Sequence, residues 1–166
     1  ATACAATPGH SITTYDGGLK GLHAAYYGNA TLSGAPVTFG LGVNGVTSGA
    51  VDKDFGLRGP VAGVGAIDKW SVRMTGLITF PVAGTYSITT KADDATQLWI
   101  GDVLVVNNWV PGALRTATPV QTVTVAAEET RRIRLQYADI TGGASIQLRW
   151  TKPGSSTQEV VPGDRL

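Results

Sequence analysis

Trp70-Ser71-Val72-Arg73-Met74-Thr75-Gly76-Leu77-Ile78-Thr79-Phe80 decides the fold class. Trp70, Val72, Met74, Ile78 and Phe80 share one side of an extended chain. Ser71, Arg73, Thr75 and Thr79 share the other. Period two is the mark of a half-buried strand. Pro81-Val82-Ala83-Gly84 then reads as a turn. Tyr86, Ile88 and Thr90 alternate with Thr85, Ser87 and Thr89, which supplies a hairpin partner.

The same pattern continues outward. Leu98-Trp99-Ile100 and Val103-Leu104-Val105-Val106 flank a Gly101-Asp102 turn. Val120 to Val125 alternates, as do the inward sets Ile133, Leu135, Tyr137 and Ile146, Leu148, Trp150. Ala126 to Arg131 has helical propensity, but its continuation has period two, so a turn followed by a strand is expected. Upstream, Gly21 to Tyr27 reads as a first strand, and Asn29 to Gly49 as mostly loop. Many short strands with regular turn signals predict an all-β antiparallel sandwich.

Composition agrees. The chain has 166 residues, 22 of them Gly, with 15% charged residues and a formal net charge of +1. A chain of about this length buries roughly two-thirds of its unfolded surface in one core. Low, balanced charge argues against a nucleic-acid or polyanion surface. In the one basic cluster, Arg131-Arg132-Ile133-Arg134, Arg132 and Arg134 fall on the solvent side of the strand. There is no signal-peptide pattern and no apolar run of the about 20 residues that a bilayer requires. The chain does not begin with Met and is read as a segment of a larger protein. Residues 1–18 read as a linker or loosely tied arm, and 19–166 as the domain. The single cysteine, Cys4, has no internal disulfide partner, and His10 and His23 make neither a thiol-activating pair nor a zinc site.

From Trp70 onward the motifs resemble the PA14 domain family. Trp70 to Gly76 resembles its "F-S-V-R-W-T-G" strand, and Gly84-Thr85-Tyr86 its "G-T-Y" turn. Lys91-Ala92-Asp93-Asp94-Ala95-Thr96-Gln97-Leu98-Trp99-Ile100 resembles "S-D-D-G-x-x-L-W-V". Leu104 to Trp109 is similar to "L-V-I-D-N-W", and Gly21 to Tyr27 to the opening "G-L-x-x-x-Y-Y". Ile133 to Tyr137 and Ser145 to Trp150 resemble the closing strands. The ordered set covers residues 19 to 151. It implies a jelly-roll-like β-sandwich, a fold used by adhesins, toxins, glycosidases and secreted repeat proteins.

The resemblance also implies a site. In lectin members the pair matching Asp93-Asp94 binds calcium across a cis peptide. Adjacent strand residues otherwise point to opposite faces, and calcium takes six to eight oxygen ligands. The loop Asp139-Ile140-Thr141-Gly142-Gly143-Ala144 is then expected to complete the shell. Asp139 or Thr141 would contribute a side-chain oxygen, and Gly142 or Gly143 a carbonyl. Sugar hydroxyls would take the open positions, with Ile140, Gly142, Asn108 and Trp109 beside the sugar. Simpler readings stand alongside: Asp-Asp and Asp before Gly-Gly are ordinary turn residues, and Trp109 lies over the sandwich edge. Trp70, Trp99 and Trp150 are expected in the core. Ala95 stands where the family usually has Gly, and Gly101-Asp102 reverses the usual "D-G".

No enzyme is expected. Glycosidase carboxylates flank the scissile bond about 5–10 Å apart, whereas adjacent residues converging on one ion do not. There is no G-x-S-x-G elbow, and Gly63-Val64-Gly65 does not extend to a phosphate-binding loop. The expectation is a calcium-dependent carbohydrate-binding module of a secreted or cell-surface, bacterial protein. Its partners would be glycans and neighbouring domains, with no nucleic acid and no membrane insertion. The alternative is a structural or protein-interaction module in which calcium only braces the loops. Asp94→Ala is expected to abolish tight calcium binding with little damage to the core.

Overall fold

The computed structural model describes residues 20–44, 48–61, 64 and 67–166. The expected arm at 1–18, with Cys4 and His10, lies outside the described residues, as do Gly63 and Gly65. Twelve strands follow in order: β1 (His23–Tyr27), β2 (Thr38–Leu41), β3 (Asp52–Gly56), β4 (Trp70–Phe80), β5 (Gly84–Asp93), β6 (Ala95–Ile100), β7 (Val103–Asn108), β8 (Arg115–Thr116), β9 (Val123–Val125), β10 (Glu129–Asp139), β11 (Ala144–Thr151) and β12 (Gln158–Val160). A short 3₁₀ turn, Gly163–Arg165, closes the chain. Among the described residues no helix is long and apolar enough to cross a membrane.

The strands form an antiparallel β-sandwich. The first sheet has the order β2-β1-β4-β10-β6-β7. The second has the order β12-β11-β5-β8, with β3 added on β11 and β9 on β5. β4 is central to the first sheet because both its edges are paired, with β1 and with β10. Its alternation gives the observed burial: Trp70, Val72, Met74, Ile78 and Phe80 are fully buried. Burying one such side chain is worth about 1.5–3 kcal/mol. Ser71, on the opposite face, is also buried, since its hydroxyl donates to Asn29 O and accepts from Leu32 N.

Two aromatic groups fill the ends of the core. At one end Trp70 meets Phe55 and Tyr137 edge-on, with centroids 5.1 and 5.3 Å away. At the other, Tyr86 lies between Phe80 (5.0 Å) and Trp150 (5.3 Å). Offset and edge-on pairs of this kind add about 0.5–1.5 kcal/mol beyond area burial.

Four elements depart from the sequence reading. β2 lies within the segment expected to be mostly loop, and β3, β8 and β12 have no alternation to announce them. β2 and β3 have few buried residues: Phe39 is exposed, and Phe55 is the one buried side chain of β3. A strand that buries almost nothing shows no periodicity, and charged residues such as Asp52, Lys53 and Asp54 suit an edge. A further departure is Trp99. Leu98 and Ile100 point inward, so Trp99 points outward, where the Arg134 guanidinium lies 4.0 Å over its ring. It is therefore not a core residue.

Candidate functional site

The site arises where the chain changes sheets. β5 belongs to the second sheet and β6 to the first, with Asp94 alone between them. β10 and β11 make the reverse crossing through Ile140–Gly143. Register puts the crossings together, because Ala95 pairs with Ala138 and Asp93 with Ser145. The Asp93–Asp94 peptide is cis. Trp70 pairs with Asp139, which brings Asp68 to the same end of the sandwich.

Asp94 is buried, with 2% exposure, and its carboxylate holds two loops. Oδ1 accepts the Gly112 N–H at 2.7 Å. Oδ2 accepts the N–H groups of Ile140 (2.7 Å) and Thr141 (3.1 Å). Charge-assisted bonds of this type are about twice as strong as neutral ones. The loop between β7 and β8 has a second brace. Arg115 donates to Asn108 Oδ1 (3.3 Å), Val110 O (2.8 Å) and Ala113 O (3.2 Å). Gly112 makes room for it: a Cβ there would collide with the guanidinium.

Asp93 is partly exposed at the end of β5. Its carbonyl accepts the Tyr137 hydroxyl at 2.5 Å. Burial and then the Asp94 charge raise its carboxyl pKa, opposed by Arg115 and the Leu114 N–H. Gly143 lies against this carboxylate, a Cβ there falling 3.5 Å from Oδ2. Gly142 sits at φ +88°, a conformation that favours glycine, and its N–H donates to Asp68 Oδ1 at 3.1 Å.

Asp139 is the unusual member. It has no exposed surface, and neither carboxylate oxygen has a hydrogen-bond partner. Burial first, then the charges of Asp68, Asp94 and Asp93, push its pKa up to about 7. The Trp70 indole opposes the rise from nearby, but its N–H stays outside hydrogen-bonding geometry. Four carboxylates thus influence one end of the sandwich, while the Arg115 cation acts on Asp93.

The sequence therefore names Asp93, Asp94, Asp139 and the Ile140–Gly143 loop, and the fold gathers them. Asn108 and the half-buried Trp109 stand at the end of β7, on the loop Asp94 clasps. Thr141 is exposed, and its backbone N–H makes the contact. Sequence reasoning missed Asp68, Gly112 and Arg115, whose only signal is proximity in the fold. Among the described residues, no three His, Cys, Asp or Glu side chains already stand in metal-holding geometry. A cation here would need backbone carbonyls or ligand oxygens beside the carboxylates.

The family model described as PA14 domain matches residues 18–164. Anti-sigma-I factor RsgI3 of Acetivibrio thermocellus is 26% identical over 154 residues, covering 93% of this chain and 22% of that protein. A solved anti-sigma factor domain-containing protein superposes with a TM-score of 0.78 at 25% identity, covering 89% of this chain and 47% of the other. The PA14 sugar-binding domain from an RTX adhesin superposes with a TM-score of 0.58 at 18% identity, covering 88% and 97%. That last likeness is one of fold. The chain spans less than half the length of the two anti-sigma relatives.

Proposed function

This chain belongs to the PA14 domain family, and from that premise we propose that it is a calcium-dependent carbohydrate-binding module of a larger secreted or surface protein, not an enzyme. The observation that carries the proposal is Asp139. Its buried carboxylate has no hydrogen-bond donor and lies in the field of three further carboxylates. An uncompensated buried charge is costly, and a divalent cation would offset it. Calcium fits an all-oxygen donor set. Asp93, Asp94 and Asp139 would hold the ion, with Asp68 beside them. Carbonyls of Gly142 or Gly143 and sugar hydroxyls would complete the shell, and Asn108, Trp109 and Ile140 would border the sugar. The likeness to a sugar-binding PA14 domain supports the ligand class. Affinity for one sugar would be weak, and multivalent glycans would raise it.

One observation favours a second reading, in which calcium only braces the loops. Asp94 already ties the Gly112 and Ile140–Thr141 segments together with three N–H bonds. The module would then serve as a structural or interaction part of its parent. Two relatives are anti-sigma factor proteins, matched over only part of their length, and a regulatory parent of that kind suits this reading. Thermal unfolding in calcium, in chelator, and in calcium with simple sugars separates the readings. A ligand at about 100 times its dissociation constant stabilises by about 2.7 kcal/mol. Shifts with calcium and again with sugar support the lectin reading. Calcium alone supports bracing, and no calcium shift removes the metal from both.

A further inference from the structure

The outer face of the second sheet carries a trough of about 150 Å³ whose lining includes Ser145, the register partner of Asp93. Alternation turns Asp93 and Lys91 of β5, and Ser145 and Gln147 of β11, toward solvent. Register aligns them in two rows across the sheet. Asp54, Ser145 and Asp93 form the first, and Asp52, Gln147 and Lys91 the second. Rows of this kind lie about 7 Å apart, two residues along a strand. The trough is lined by members of both rows and by Leu114. Leu114 also supplies the backbone N–H that faces the Asp93 carboxylate. Ser145 and Leu114 thus place the trough next to the carboxylate end of the sheet.

Its chemistry suits a hydroxylated, uncharged ligand. Lys53 and Lys91 line it together with Asp52 and Asp54, so the formal charges balance. Among the described residues neither lysine forms an ion pair. The Lys91 ammonium, with three donors, is free to bond hydroxyls. Gln147 is held in place: its Nε2 donates to Asp52 Oδ1 at 2.8 Å and its Oε1 accepts from Arg149 at 2.8 Å. One amide N–H is left to face the trough. Ser145 adds a hydroxyl that can donate and accept. Leu114, half exposed, offers an apolar patch to the C–H face of a sugar ring.

We propose that this trough is a second saccharide subsite, so that the ligand is a neutral chain of two or more sugar units entering from the Asp93 end. This rests on the carbohydrate-binding reading and names its substrate class. The test is calorimetric titration of the chain, in calcium, with glucose, galactose, mannose and xylose and with their β-1,4-linked tetrasaccharides. The expected result is at least a tenfold tighter dissociation constant for one tetrasaccharide than for its monosaccharide. In Lys91→Ala/Gln147→Ala, and separately in Ser145→Arg, that ratio falls toward one while the unfolding midpoint is retained. Sugar binding without any gain from chain length overturns the subsite and leaves the carbohydrate reading standing. So does a gain that both variants keep. Absence of binding to every sugar overturns both.

Discussion

The two ends of the sandwich are built from similar aromatic residues but treat polar groups in opposite ways. At the Tyr86 end the buried groups are satisfied. The Tyr86 hydroxyl donates to Val82 O and accepts from Val82 N, and the Trp150 indole donates to Glu159 Oε1 at 2.9 Å. At the Trp70 end the indole N–H and both oxygens of Asp139 have no partner. Most buried polar groups are paired, so the unpartnered atoms beside the sheet crossings set this end apart from the other. The aromatic packing holds both ends, while the carboxylates distinguish one of them.

The comparison can be broken most forcefully at the Tyr86 end. Trp150→Ala should cost about 3–5 kcal/mol, as large-to-small changes of an enclosed aromatic do. The loss should be the same in calcium and in chelator, measured by denaturant unfolding. A calcium-dependent loss would mean the ends are not independent.

The next effect is one of pH at the Trp70 end. The folded-state pKa of Asp139, about 7, lies above its ordinary value of 3.8. The folded protein thus binds more protons than the unfolded chain between these values, and stability falls as pH rises through that window. A tenfold difference in proton affinity between the two states corresponds to about 1.4 kcal/mol. In chelator, unfolding free energy should therefore decline from about pH 4 to 7, and Asp139→Asn should flatten that decline. A slope that persists in the variant would assign it elsewhere.

Asp94→Ala comes third. Sequence alone predicts little damage from it beyond lost calcium affinity. The three N–H groups that it would leave unpaired revise that expectation. The donors are part-buried, so the low end of the cost of unpaired donors, about 1 kcal/mol, should be lost even in chelator. Hydrogen exchange should rise at Gly112, Ile140 and Thr141, and unchanged protection there would sink the clasp. The smallest effect belongs to Arg132→Ala, which removes an exposed ion pair with Asp102. Its unfolding midpoint should match the wild type's in both conditions.

These expectations draw unequally on sequence and structure. β4, β5, β10 and the inward face of β11 are legible because large apolar residues that enter one core recur at alternate positions along each. β2 and β3 bury too little to leave a period. Trp99 is misplaced by a reading in which its hydrophobic character outweighs the outward position that Leu98 and Ile100 imply. Asp93, Asp94 and Asp139 are legible through the motifs around them. Asp68, Gly112 and Arg115 are not, since each acts on a partner far away in the chain.

The sequence by itself determined the sandwich, the alternating apolar sets that fill its core, and the acidic pair at one crossing. Side-chain alternation and turn chemistry are local, so they can be read along the chain. Only the tertiary structure decided that both crossings lie side by side, that Asp94 clasps two loops, that Asp139 is enclosed without a donor, and that a polar trough lies beside Ser145 on the outer face. Those depend on register between strands distant in sequence, and register is set by the packing of the whole core.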